Sequence, residues 1–304
     1  MGFALVFSGQ GMQHAAMLPW LAEDELVERM RAQLGIADWR ERLQDAAWAS
    51  RNANAQVLLT GLDLAAWAQL SASLPAPAAV AGYSVGELAS FAAAGVFDAS
   101  TALALAGTRA RAMDRCAAAT PGGLLAVSGL PRVRIERLCE QTRLAVAIEN
   151  GPQAFVLGGA LAALDEAEQT ARAAGGHVTR LKVDVASHTP SMHEAAEAFA
   201  QALSALPLRS PRVPLFSSAA DRLTTATQAA RALARQISTT VQWGACTDQI
   251  RARQVGCVLE IGPGAALSRM WNERFPDVPA RSADEFRSTS AIVDWVSRQA
   301  EREV

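Results

Sequence analysis

Gly82-Tyr83-Ser84-Val85-Gly86-Glu87 is the stretch whose reading decides the fold. It fits Gly-x-Ser-x-Gly, the sharp strand-to-helix turn that lifts a serine hydroxyl clear of the backbone. Pro77-Ala78-Ala79-Val80-Ala81 before it has the length and apolar character of a buried strand, and Glu87 to Ala94 after it reads as a helix. Small residues flank Ser84 because the backbone crowds itself in so tight a turn. The amide of Val85 then opens a helix and is free to donate to a developing oxyanion. Small-residue turns are common in an Ala- and Gly-rich chain, so an ordinary strand-to-helix connection satisfies the same pentapeptide. The flanking sequence has to separate the two.

Upstream, Phe3-Ala4-Leu5-Val6-Phe7 reads as a central strand that ends abruptly in Ser8-Gly9-Gln10-Gly11-Met12-Gln13. Glycine on both sides of Gln10 predicts a sharp turn with exposed amides: a plain connection, or a second oxyanion donor at Gln10 facing that of Val85. Residues 20–75 read as helical scaffold, with a charged-and-apolar helix over Asp24 to Leu34 and a long apolar one over Val57 to Leu74. Downstream, Asp98-Ala99-Ser100 caps a helix over 101–119. On it Leu105, Arg109 and Met113 share one stripe, with Arg111 and Arg115 on roughly the opposite face. A buried, unpaired arginine costs several kcal/mol. Arg109 therefore needs an anionic partner, either an internal Asp or Glu or the carboxylate of a substrate gripped by the guanidinium fork.

Pro121-Gly122-Gly123 breaks the pattern. Beyond this break the chain reads as strand 124–127, helix 132–142, strands 144–148 and 154–157, helix 161–174 and strand 178–185, the βαββαβ order of a ferredoxin-like unit. We expect an inserted small subdomain over 123–186, with 1–122 and 187–304 forming one large α/β domain. His188 is expected at the end of the last inserted strand, as a general base or as a hydrogen-bonded turn histidine. His14 (just inside a helix), His177 (in a Gly-rich turn) and His193 (on a helix flank) are weaker candidates. Further strand candidates are 213–217 and 257–261, with a helix over 226–237 and a last helix over Ser290 to Arg302. Gly262-Pro263-Gly264 lacks the phosphate-loop pattern and reads as structural.

Composition narrows the function classes. The chain has 304 residues, half of them hydrophobic, enough for a large core. A net charge of −2 and a single Tyr leave no footprint for nucleic acid or an anionic membrane surface. Cys116, Cys139, Cys246 and Cys257 have no metal-ligand spacing, so free thiols in a reducing compartment and no metal are expected. With no signal-peptide pattern and no long uncharged apolar run, the expectation is a cytoplasmic enzyme.

Taken in order and spacing, these segments resemble one family. Phe7-Ser8-Gly9-Gln10-Gly11-Met12-Gln13, Gly82 to Glu87, Arg109 to Met113, Ser187-His188 and Glu260-Ile261-Gly262-Pro263-Gly264 are similar to the motifs of the malonyl-CoA:acyl carrier protein transacylases. Asn150-Gly151-Pro152-Gln153 through Gly158 resembles that family's inserted subdomain. The resemblance covers nearly the whole chain. It implies an α/β-hydrolase-like large domain with a short parallel sheet, an inserted ferredoxin-like subdomain, and a site in the crevice between them. It implies Ser84 as nucleophile, His188 as base, Arg109 on the malonyl carboxylate, and Gln10 and Val85 as backbone oxyanion donors. A main-chain carbonyl is expected to orient the histidine, near Arg253-Gln254. No cofactor is implied; malonyl-CoA and the prosthetic-arm thiol of an acyl carrier protein are substrates, with ping-pong kinetics.

Two departures refine it. The family usually has His before the nucleophile and Pro in the first loop, where this chain has Tyr83 and Ser8. With Ser187-His188-Thr189-Pro190 and Ser282 to Arg287, they look more like the epsilon subunit of biotin-independent malonate decarboxylase, which would have other decarboxylase subunits as partners and a carrier with a phosphoribosyl-dephospho-CoA arm. A fatty-acid or polyketide-type transacylase, a serine thioesterase or hydrolase, and a catalytically silent docking subunit are the alternatives. The last has no need of Ser84, His188 and Arg109 together.

Overall fold

The computed structural model describes residues 2–300. Strand β1 (Phe3–Phe7) is buried along its whole length, as an apolar run must be when helices cover both faces of a sheet. The chain then passes through α1 (Glu25–Leu34), the short α2 (Trp39–Arg42) and α3 (Ala46–Ser50), and the long α4 (Asn52–Ser71). Helix α4 is apolar almost all round and accordingly buried, yet it takes Gln56, Thr60 and Asp63 into the core with it. Strand β2 (Ala79–Gly82) leads through the serine turn into α5 (Gly86–Ala93). Helix α6 (Ala99–Ala119) starts two residues before the expected 101, directly after its cap, with the Asp98 carboxylate accepting from the Thr101 amide.

A second sheet comes next, built from β3 (Gly122–Ser128), α7 (Arg132–Thr142), β4 (Ala145–Gly151), β5 (Ala154–Ala160), α8 (Leu161–Ala173) and β6 (His177–Arg180). Its antiparallel order β4-β5-β3-β6 is the ferredoxin-like arrangement. It has its own core around Leu125, Ile135, Phe155, Leu157 and Leu164. The expected last strand is shorter than its apolar alternation indicates. Pairing with β3 stops at Arg180, and Val183 and Val185 are buried without joining the sheet. His188 therefore stands at the end of a connecting segment and not of a strand.

The chain returns through α9 (His193–Ser204), β7 (Leu215–Ser217), β8 (Ala220–Leu223), α10 (Ala226–Arg235), α11 (Trp243–Arg251), β9 (Cys257–Ile261), α12 (Ala266–Arg274), β10 (Ala280–Ser282) and α13 (Thr289–Ala300). Residues 301 and 302, expected at the end of the last helix, lie outside the described residues. The main sheet runs β10-β9-β1-β2-β7-β8, parallel throughout except for the antiparallel β7–β8 hairpin at its edge. Its register pairs Phe7 with Gly82 and with Ile261, so Ser8, Tyr83-Ser84 and Gly262 leave the sheet side by side. In an open parallel sheet, that carboxyl edge is where sites form. The second sheet meets the segment between α10 and α11 through an isolated bridge between Ile148 and Val241, with Val241 N donating to Ala147 O and Glu149 N to Val241 O.

Candidate active site

The serine turn has no room for a side chain at Gly82 or Gly86. A Cβ on Gly82 would stand 2.3 Å from Glu87 N, and one on Gly86 would stand 2.4 Å from Phe7 O. Ser84 itself sits at φ +54, in the left-handed region that a residue with a Cβ occupies only under constraint. The constraint aims its hydroxyl outward. Ser84 Oγ lies 2.7 Å from His188 Nε2.

His188 is held equally firmly and also has positive φ, +63. Its amide donates to Ile237 O (2.8 Å), and its Nδ1 lies 2.7 Å from Gln236 O. A carbonyl only accepts, so the Nδ1 carries the proton and Nε2 presents its lone pair to Ser84. Burial, and then the charge of Arg109, push the histidine down to about 3 against the single hydrogen bond from Nδ1 that opposes them. The ring is thus neutral and able to take a proton. The carbonyl expected near Arg253-Gln254 belongs instead to Gln236. Main-chain oxygens carry no residue-type signature, and Gln236 reaches the site because it follows the last turn of α10.

Arg109, 2% exposed, resolves its partner question without a carboxylate. Its NH1 donates to Gln56 Oε1 (2.7 Å) and its NH2 to Gln236 Oε1 (3.1 Å). Gln56 is in turn fixed by Asn52 Oδ1 (2.6 Å). Burial lowers the guanidinium to about 10 and the nearby Glu87 charge opposes this, so it stays cationic. Amide oxygens satisfy its hydrogen bonds but leave its charge uncancelled. Glu87 is not its ion-pair partner: Glu87 Oε1 takes Ser217 Oγ, Ser218 N and Ser218 Oγ at 2.8–3.0 Å. Burial pushes Glu87 up to about 7 against those bonds.

Gln10, Tyr83, Ser84, Arg109, Ser187 and His188 line one cavity of about 50 Å³, walled by Met113, Leu124, Ile148, Leu181 and Val183. Both sheets contribute to it. Among the described residues neither the Val85 nor the Gln10 amide has an acceptor. Gly9 lies against the turn: a Cβ on it would stand 3.0 Å from Tyr83 O. The Tyr83 hydroxyl donates to Asn150 Oδ1 (3.1 Å) and its ring meets Trp243 edge-on, tying the turn to β4. The other histidines stand elsewhere. His14 pairs with Asp284 and lies in an irregular segment, not in a helix; His193 pairs with Glu197; His177 opens β6. Among the described residues no group of three or more His, Cys, Asp or Glu could hold a metal, and no helix is long and apolar enough to cross a membrane.

Sequence reasoning missed Gln56, Glu87, Asn150 and Gln236. For Gln56 a signal was present, a polar side chain on the apolar α4.

The sequence profile of the acyl transferase domain family matches residues 4–293. The malonyl CoA-acyl carrier protein transacylase of Mycobacterium bovis is 33% identical over 291 residues, covering 92% of this chain and 95% of that protein. The malonyl CoA-acyl carrier protein transacylase structure from Coxiella burnetii superposes with a TM-score of 0.87 at 26% identity, over 99% of this chain and 98% of that one. A malonyl-transacylase solved in complex with a type II polyketide synthase acyl-carrier protein superposes with a TM-score of 0.88 at 27% identity, over 97% of this chain and 99% of that one.

Proposed function

Because the chain belongs to the acyl transferase family, among its malonyl-CoA:acyl carrier protein transacylases, we propose that it moves a malonyl group from CoA to a carrier-protein thiol through a malonyl-Ser84 intermediate. The observation that carries this is the pairing of a Ser84–His188 contact with a buried arginine whose charge has no internal carboxylate partner, both in one small cavity. The malonyl carboxylate sits on Arg109. His188 Nε2 takes the Ser84 proton as Oγ attacks the thioester carbonyl. The Val85 and Gln10 amides hold the oxyanion; losing one such donor raises the barrier by about 3 kcal/mol. The CoA thiolate leaves with the proton from His188, and a carrier thiol attacks malonyl-Ser84 by the reverse path. This is ping-pong chemistry that calls on no metal or redox cofactor.

Residues 1–122 and 187–304 form the catalytic domain in this reading and 123–186 the small subdomain, with the acyl group bound where they meet; the cytoplasm is its setting. The test tracks labelled malonyl-CoA in the presence and absence of holo-carrier. Label transferred to the carrier faster than malonate is released supports the transferase; malonate release at the same rate with or without carrier makes the protein a hydrolase.

Within the family, Tyr83 and Ser8 favour the epsilon-subunit role in a biotin-independent malonate decarboxylase. Tyr83 lines the cavity and donates to Asn150 of the small sheet. That role predicts preference for a carrier bearing a phosphoribosyl-dephospho-CoA arm over one bearing 4′-phosphopantetheine. Equal rates with both carriers return the chain to the fatty-acid or polyketide type.

A further inference from the structure

Arg109 stands at one end of a chain of side-chain hydrogen bonds that runs away from the cavity. Its NH1 donates to Gln56 Oε1 (2.7 Å), Gln56 Nε2 donates to Asn52 Oδ1 (2.6 Å), and Asn52 Nδ2 donates to Asp114 Oδ1 (2.7 Å). Asn52 and Gln56 lie one turn apart at the start of α4, while Arg109 and Asp114 both belong to α6. The chain therefore leaves α6 at Arg109 and returns to it at Asp114. Asn52, Gln56 and Arg109 are buried, and Asp114 is half-buried. Two further contacts steady the amides: Gln56 Nε2 lies 3.3 Å from Met113 Sδ, and Asn52 Nδ2 3.4 Å from Ala110 O.

The two ends dictate which way round the amides lie. A guanidinium only donates, and a carboxylate only accepts. Asn52 therefore turns its NH2 to Asp114 and its oxygen to Gln56, and Gln56 turns its NH2 to Asn52 and its oxygen to Arg109. Every bond points the same way, from Arg109 towards Asp114, and hydrogen bonds aligned like this strengthen one another. A reversed Gln56 would set its NH2 against the guanidinium, donor facing donor. Burial raises the Asp114 carboxyl, and the bond from Asn52 opposes this. Glu87, the carboxyl whose charge acts on Arg109, takes its donors from Ser217 and Ser218. Arg109 is thus gripped by neutral amides, with the carboxylate that orients them kept two side chains away. It is held without being neutralised, and its remaining N–H groups stay available in the cavity it lines.

We propose that Asp114 is a positioning residue which, through Asn52 and Gln56, holds Arg109 in the attitude that receives a free carboxylate, and so sets the preference for malonyl over acetyl groups. Removing the Asp114 carboxylate lets Asn52 turn over, and Gln56 with it, so that Arg109 loses a fixed acceptor. A carboxylate in place of Gln56 acts differently: it pairs with the guanidinium directly and cancels the charge that the substrate needs. The contact between Arg109 and the acyl carboxylate is made in the ground state and the transition state alike. Its loss therefore raises KM for the malonyl donor more than it lowers kcat.

This rests on Arg109 receiving the malonyl carboxylate, and one of the two readouts needs no transfer. In the full-length protein, kcat and KM are measured with malonyl-CoA and with acetyl-CoA for the wild type, Asp114→Leu, Asp114→Asn and Gln56→Glu. In parallel, free malonate is titrated against the labelling of Ser84 by a fluorophosphonate, and thermal unfolding shows that each variant is folded. Asp114→Leu is expected to lose at least about tenfold in kcat/KM for malonyl-CoA, chiefly through KM, and less than about threefold for acetyl-CoA. It should also need about tenfold more malonate to protect Ser84. Asp114→Asn still offers an oxygen to Asn52 and is expected within about threefold of wild type. Gln56→Glu should lose the malonyl preference and the protection by malonate, and it carries the test if Asp114→Leu does not fold. Equal losses for both donors in Asp114→Leu would make Asp114 a support of the fold and overturn the proposal. So would a Gln56→Glu variant that keeps the wild-type preference. Malonate protection that depends on Asp114 as expected, in a protein that passes no malonyl to a carrier, removes the transferase reading and leaves the role of Asp114 standing.

Discussion

The main-chain oxygen of Gln236 lies 2.7 Å from Nδ1 of His188, in the place where an acidic side chain orients the histidine of many serine enzymes. The same residue's side chain accepts from Arg109 through Oε1 and donates to Ser84 O through Nε2 (2.9 Å). One glutamine thus touches base, nucleophile and guanidinium. A neutral orienter suits a neutral histidine: no buried carboxylate beside the ring raises its basicity, and Arg109 lowers it further.

Replacing the Gln236 side chain separates these roles, because the carbonyl on His188 survives. Gln236→Leu is expected to slow malonyl transfer about ten- to hundredfold, the worth of a hydrogen bond to a buried charge. Acetyl transfer should suffer less, since it makes no demand on Arg109. The ratio of kcat/KM for the two donors measures it.

The acid side of the pH profile is the next expectation. An ordinary histidine, at 6.5, would protonate and stop acting as a base as the pH fell through that value. His188, pushed down to about 3, keeps its lone pair well below it. The rate of Ser84 acylation should therefore lack the limb near 6.5. The corresponding stability effect has a definite sign: below 6.5 the unfolded chain binds a proton that the native protein refuses, so stability drops as pH falls from 6.5 towards 3. Stopped-flow acylation and Tm across that range check both statements.

Arg109→Ala should cost malonyl transfer about a hundredfold or more, the loss of a bidentate charged contact, and cost acetyl transfer far less. Equal losses for both donors would make Arg109 a structural residue.

Gly86→Ala should prevent a stable fold. The added methyl meets Phe7 O at 2.4 Å and Ser8 O at 2.7 Å, both main-chain atoms of β1 and its exit. Relief requires parting β1 from α5, at a cost of about 3 kcal/mol or more. Chemical denaturation of the purified variant, or its failure to accumulate in soluble form, reads this out.

Gln10, Ser84, Arg109 and His188, which line one cavity, were picked out in the sequence as candidates by a glycine-flanked loop, a crowded turn, an arginine on an apolar stripe and a histidine after the inserted unit, while the roles given to them came from the family resemblance. The two-sheet architecture was legible for a similar reason, since apolar runs of strand length alternate with helical stripes. Gln236 and Glu87 were not, because their roles arise when α10 and β7 are brought to the turn by tertiary packing. The length of β6 was misread because Val183 and Val185 are buried without pairing in the sheet, and sequence alternation does not distinguish the two causes of burial.

The measurement that tests the central claim most directly is an intact-protein mass spectrum taken seconds after mixing with malonyl-CoA, for wild type and Ser84→Ala. We predict one malonyl adduct on the wild type only, discharged faster by a pantetheine thiol than by water. An adduct that persists in Ser84→Ala, or malonyl turnover by that variant at the wild-type rate, would contradict a malonyl-Ser84 intermediate.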